Sequence, residues 1–140
     1  MAPTLPEWPA RTIAVLATVD DGPHAIPVSA PVRAGDHTIL LGLHQSRDSL
    51  ARIRQCPQVA LLVLAEGNVA FTARGTARIA AEPMADDADY VAVAIDVSAL
   101  DDHRQPAFVV EAGVDRAWLD EAEREALGRR VQALRGLAGS

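Results

Sequence analysis

Thr12-Ile13-Ala14-Val15-Leu16-Ala17-Thr18-Val19 runs straight into Asp20-Asp21-Gly22, and how that junction is read decides the fold. The first eight residues are rich in β-branched side chains and alternate well enough for a strand. The next three make a turn, with Asp bonding locally and Gly supplying positive φ. A second strand is expected over 24–33. It carries Pro27 and Pro31, which cannot donate to a ladder, so they belong at an edge, a bulge or an opening in the sheet. Working outward, Ala34-Gly35-Asp36 is the next turn and 38–43 a third strand. Further strands are expected over 59–65, 69–80, 90–97 and 107–112, with Glu66-Gly67-Asn68 as a hairpin turn and Gly75 as a bulge or close backbone approach.

Two segments switch period. From Ser46, an N-cap candidate, to Gln55, Leu50 and Ile53 share one face and Pro57 follows, so a short helix is expected. From Asp115 to residue 137, apolar residues recur at Leu119, Ala122, Ala126, Leu127, Val131 and Leu134, one stripe of an amphipathic helix. Residues 1–10, interrupted by Pro3, Pro6 and Pro9, read as an irregular lead-in. The expectation is mainly β: a single domain over 11–140, built as a six- to seven-stranded antiparallel barrel. A short helix follows strand three and the amphipathic helix closes the chain, because closure removes exposed edges from such a meander.

Composition narrows the function. A chain of 140 residues, 49% hydrophobic, with near-neutral mean hydropathy, buries a real core. A net charge of -6 argues against a general nucleic-acid binder while leaving room for a local basic pocket. Cys56 is the only cysteine, so an intramolecular disulfide is excluded and a cysteine-based zinc site is not expected. His103 beside Asp101 and Asp102 lacks the spacing of a metal site. With no signal-like apolar run at its start, the chain is expected in the cytoplasm. No Ser–His–Asp, Cys–His or paired-carboxylate arrangement is present, so any redox chemistry would come from a bound cofactor.

The segment 46–54 is where an anion could be held. Ser46 and Ser49 put two hydroxyls at a helix start, where free N–H groups and the helix dipole favour negative charge. Arg47 adds a planar fork suited to phosphate, Arg54 lies seven positions on along the same side, and Arg52 lies on another. The same residues also read as an ordinary N-cap with a solvated arginine face.

Several stretches resemble the FMN-binding split β-barrel of the pyridoxamine 5′-phosphate oxidase superfamily. They are Ala17 to His24 followed by Ile26-Pro27-Val28, Ser46 to Arg54 ending in Cys56-Pro57-Gln58-Val59-Ala60-Leu61, and Phe71-Thr72-Ala73-Arg74-Gly75-Thr76-Ala77. The likeness covers about half the chain. It implies an FMN-binding flavoprotein, an oxidoreductase with a small-molecule substrate. It also implies a homodimer with the cofactor at the subunit interface, to which the strand 71–79 could lend apolar area. Family positions that line the ring map to Pro27, Val28 and Ser29 and to Leu43, His44 and Gln45. The phosphate site maps to Ser46, Arg47, Ser49, Arg52 and Arg54, and Arg74 maps to a flavin or substrate contact, although it also reads as a solvent-facing strand residue. The Arg-x-His substrate motif of true pyridoxamine 5′-phosphate oxidases is lacking, so that reaction is not implied. Related barrels use the deazaflavin F420, which is the alternative cofactor; a non-catalytic dimeric module holding flavin or haem is the alternative role.

Overall fold

The computed structural model describes residues 3–139; residues 1 and 2 of the lead-in and residue 140 lie outside the described residues. Seven strands form one antiparallel sheet: β1 (Ile13–Val19), β2 (Pro23–Ser29), β3 (Val32–Arg33), β4 (Thr38–His44), β5 (Gln58–Ala65), β6 (Val69–Ala81) and β7 (Tyr90–Asp102). Their order is β2-β1-β5-β6-β7-β4-β3. Helix α1 (Asp48–Gln55) follows β4, and α2 (Glu121–Ala138) ends the chain. The sheet curls so that its two ends approach without joining. That is the split barrel expected from the meander, with two small helices.

Alternation explains the curl. Ile39, Leu41 and Leu43 of β4 and Val91, Val93, Ile95 and Val97 of β7 point inward with Leu16, Leu61 and Val63, and all are buried. Leu50 and Ile53 of α1 and Leu5 of the lead-in complete this core. The lead-in lacks regular structure, yet it is tied down: Leu5 N–H donates to the Asp36 carbonyl at 2.8 Å, and Trp8 Nε1 donates to the Pro31 carbonyl at 2.8 Å. On the outer face of β4 and β7, Leu40, Ala92 and Ala94 are buried as well, beneath Leu134 of α2 and Met84. These two strands are covered on both faces, and their sequences therefore read as nearly continuous apolar runs.

Several boundaries differ from the sequence expectation. The expected strand 24–33 is broken, because Ala30 adopts φ 50° and Pro31 follows it, so β3 restarts on the other side of the barrel. β7 runs through Asp102, since β6 is long enough to pair with it to the end and Asp101 is held by Arg74. No strand forms over 107–112. The strands β6 and β7 already have neighbours on both sides, so the chain leaves the sheet as an extended arm that touches it at Asn68. α2 begins at Glu121, not near 115: Asp120 is the true cap, its carboxylate accepting from Ala122 N–H at 2.9 Å and Glu123 N–H at 3.4 Å. The bulge expected at Gly75 is present as a register shift at Arg74/Gly75. A Cβ there would come within 2.2 Å of the Asp96 carbonyl oxygen, so the backbone crossing requires glycine.

Candidate functional site

The open seam of the barrel lies between β2 and β4, whose Cα atoms come within 8 Å while no ladder joins them. Register fixes which backbone groups face it. Ala30 N–H donates to the Thr12 carbonyl, which makes the even positions of β2 the hydrogen-bonded ones toward β1. The odd positions, Pro23, Ala25, Pro27 and Ser29, therefore turn their backbone toward the seam. The two prolines of β2 stand where a missing N–H breaks no bond to β1, at the edge their chemistry predicts. Across the seam, the Ala34 N–H bond to the Thr38 carbonyl fixes the even positions of β4 toward the β3 side. Past Leu40, where β3 pairing stops, Gly42 and the His44 N–H have no strand opposite, while the His44 carbonyl accepts from Arg47 N–H at 2.9 Å.

A cleft of about 160 Å³ opens here, lined by Pro27, Val28 and Ser29, by Leu43 and His44, and by Arg47. Its far wall is Tyr90 with Leu127, Arg130 and Val131 of α2. The seam thus brings together six of the residues singled out from sequence. Gln45 is at the rim of the fold, its N–H bonded to the Asp89 carbonyl, and it does not line the cleft.

His44 is oriented from behind. Ser46 Oγ lies 2.8 Å from its Nδ1, and Ser46 N–H approaches the same atom at 3.2 Å. Both contacts are made when Nδ1 accepts, which puts the proton of the neutral ring on Nε2 and gives the cleft wall a donor. This use of Ser46 has a consequence for the helix. Ser46 is not the N-cap of α1; Arg47 holds that position, with no side-chain cap bond. The Ser46 hydroxyl bonds the imidazole instead. Ser49, one turn further on, is buried, and its Oγ has no hydrogen-bond partner.

Charge at the site is selective. The chain has no lysine, so all its side-chain cations other than histidine are arginines. Among the described residues, nine arginines are paired with carboxylates, and Arg47, Arg116, Arg129 and Arg135 are not. Arg47 alone of those four lines the cleft, its guanidinium held by one donation to the Pro27 carbonyl at 3.3 Å. Arg116 reaches the cleft edge by donating to Ser29 Oγ at 2.9 Å.

The remaining predicted cations are engaged elsewhere. Arg52 bonds the Asp48 carboxylate at 2.8 Å and also the Asp20 carbonyl, tying α1 to the first turn. The Arg52 hydrogen bond holds the Asp48 carboxyl below the usual carboxylate range, so a negative charge stays in the first turn of α1. Arg54 pairs with Glu82, and Arg74 makes a two-pronged pair with Asp101 on the outer face of the sheet. These three do not line the cleft.

Sequence reading missed Tyr90 and Arg130. The Arg130 guanidinium lies 3.9 Å from the Tyr90 ring centroid and bonds Asp87 at 3.1 Å, and Tyr90 meets His44 edge-on at 5.3 Å. Asp87, Arg130, Tyr90, His44 and Ser46 form one connected wall that fixes α2 over the end of the seam. The signal was an arginine set inside the apolar stripe Leu127–Val131–Leu134, where a solvated residue is not expected.

No family model matches the sequence, and no curated protein matches it. Solved structures do share its fold. One is a Listeria innocua protein named as a candidate pyridoxamine 5′-phosphate oxidase, with TM-score 0.56 and 16% identity over 66% of this chain and 89% of that one. An F420 reductase matches with TM-score 0.56 and 19% identity, over 71% of this chain and 100% of that one. A FAD-binding protein from Mesorhizobium loti matches with TM-score 0.53 and 17% identity, over 65% and 84%. At these identities the likeness is one of fold, and it is the split barrel expected from sequence.

Proposed function

We propose that the seam binds a flavin-type cofactor, FMN first, and that the protein is an oxidoreductase acting on a small molecule. The observation that carries this reading is Arg47, a cation without a carboxylate partner in a chain that pairs most of its arginines, set beside two unladdered strand edges. The residues fit the group. Arg47 suits the phosphate, with the buried, unpartnered Ser49 hydroxyl close by in the chain and Arg116 at the cleft edge. The pyrimidine edge of the ring needs alternating donors and acceptors, which the backbone of Ser29 and Gly42, the His44 N–H and the His44 Nε2–H offer. Once bound, a flavin supplies one- and two-electron transfer; the chain's own part is to hold and orient it and to exclude water.

The cleft's size supports the second half of the proposal. About 160 Å³ is below the roughly 300–1,000 Å³ of pockets that enclose a whole ligand, so a flavin would fill the cleft in part and cover its mouth. A second copy of the chain lying over that mouth completes the site, as in the homodimer implied by the family resemblance. The fold shared with an F420 reductase favours F420 as the second reading of the cofactor. The single, free Cys56 accords with a cytoplasmic setting.

The test is a titration of the purified protein with FMN and with F420, read by absorption and fluorescence quenching, followed by addition of NAD(P)H. Saturable FMN binding with bleaching of the flavin band supports the reading. Binding of neither cofactor removes it, and tighter F420 binding moves the assignment to the deazaflavin.

A further inference from the structure

The two ends of the barrel are closed by different means. Helix α1 lies where β4 finishes and sends Leu50 and Ile53 into the core. The end where β4 starts is covered by the lead-in, whose Leu5 enters the same core. Residues 3–8 are anchored along one side. Leu5 N–H donates to the Asp36 carbonyl at 2.8 Å, and Arg33 Nη2 donates to the Leu5 carbonyl at 2.9 Å. His37 Nδ1–H donates to the Pro3 carbonyl and Trp8 Nε1 to the Pro31 carbonyl, both at 2.8 Å. These partners all lie between positions 31 and 37. Among the described residues, no hydrogen bond joins residues 3–8 to β6 or β7. The margin facing those two strands is left unsealed.

A groove of about 550 Å³ runs along that margin, between Leu5 and Pro6 on one side and the paired ends of β6 and β7 on the other. Its volume falls within the roughly 300–1,000 Å³ of pockets that enclose a small molecule, and barrel mouths are a recurrent place for them. It shares no lining residue with the seam cleft. The floor is apolar. Leu5 and Phe71 are buried core residues, and Val69 and Leu100 are half-buried beside them. Trp8 backs Phe71 with ring centroids 5.7 Å apart, which holds that floor in place.

The rim selects the guest by charge. Arg104 turns Nε, Nη2 and its backbone N–H onto the Asp102 carboxylate at 2.7–3.2 Å, so this pair neutralises itself. Glu7 also lines the groove, is exposed, and has no ion-pair partner among the described residues. One uncompensated negative charge therefore stands over an apolar recess. An anionic guest would be repelled by Glu7 and find Arg104 already committed. A cationic guest would meet an open carboxylate at the water-facing rim, where its head need not be desolvated while its body enters the groove. We propose that this groove is a second binding site, distinct from the seam, for a small apolar amine. Its body lies against Leu5, Val69, Phe71 and Leu100, and its protonated nitrogen lies at the Glu7 carboxylate.

The experiment is an NMR titration of the isotope-labelled full chain at neutral pH with 2-phenylethylamine, 3-phenylpropionate and 2-phenylethanol. These share an aromatic body and carry a cationic, an anionic and a neutral head. The expected result is saturable shifts at the amides of Leu5, Asn68, Phe71 and Leu100, with the amine bound most tightly. Glu7→Gln, at an exposed position, should weaken the amine roughly 3- to 10-fold and leave the alcohol unchanged. Absence of saturable shifts with all three probes overturns the site, as do shifts confined to the seam at 27–29 and 42–44. An acid bound as tightly as the amine overturns the assigned class, and so does an amine affinity indifferent to Glu7→Gln. Flavin binding, read separately by absorption, has no bearing on either outcome, because the two pockets share no residue.

Discussion

Replacing Arg47 by glutamine isolates the phosphate half of the proposed site. The side chain is exposed, has no carboxylate partner and makes one 3.3 Å donation to the Pro27 carbonyl, so its loss leaves no buried charge behind. Folding should change by no more than about 0.5 kcal/mol, as for ordinary surface substitutions. A hydrogen bond to a charged group contributes about 1.5–3 kcal/mol, so FMN affinity should fall roughly 10- to 150-fold. Riboflavin carries the same ring without the phosphate, and its affinity should not move. Fluorescence quenching at about 0.15 M salt, where charges beyond roughly 8 Å are screened, reads the local contact and not the net charge. Equal weakening of FMN and riboflavin would refute the reasoning, because Arg47 would then act on the ring or on the fold. No weakening of either would place the phosphate elsewhere.

Leu134 of α2 is 2% exposed against Leu40, Met84, Ala92 and Ala94. Leu134→Ala should cost about 2–5 kcal/mol, lowering the urea midpoint and speeding hydrogen exchange along α2. Gly75→Ala forces a methyl against the Asp96 carbonyl, and a thermal melt should show a loss of about 1–3 kcal/mol. The Asp102 carboxyl, hydrogen-bonded by the Arg104 side chain and backbone, is lowered to about 2. Its folded value lies below its ordinary one of 3.8, so its contribution to stability is present above pH 3.8 and is lost as pH falls through 2. Carboxyl NMR should give that midpoint in the native chain and return it toward 3.8 in Arg104→Gln.

The barrel was legible because its signals are local. The Asp20-Asp21-Gly22 and Glu66-Gly67-Asn68 turns, the alternation of β4 and β6 and the bulge at Gly75 each follow from a few neighbouring residues. The errors arose where distant chain decides. β7 continues through Asp101 because Arg74, twenty-seven residues earlier, meets its charge. The segment 107–112 has a strand's composition and no free edge to join. Ser46 has the look of a cap, yet His44 takes its hydroxyl. At the site, the strand-borne residues from Pro27 to Ser29 and from Leu43 to His44 could be read from order alone. Tyr90 and Arg130 could not, since only the docking of α2 brings them to the seam. Which arginine stays unpaired was equally hidden, because pairing partners such as Glu82 and Asp101 lie far along the chain.

The two prolines of β2 also bear on how this protein keeps company with other chains. An unladdered strand edge invites a foreign strand to add to it, the first step toward fibrous aggregates. Of the four seam-facing positions on β2, Pro23 and Pro27 have no hydrogen to give, so an incoming strand would find half its acceptors unanswered. A small flat molecule asks for fewer contacts and loses little. The opening therefore sorts its visitors by length: it stays receptive to a compact guest while refusing the extended polypeptide that would turn an unfinished barrel into a polymer.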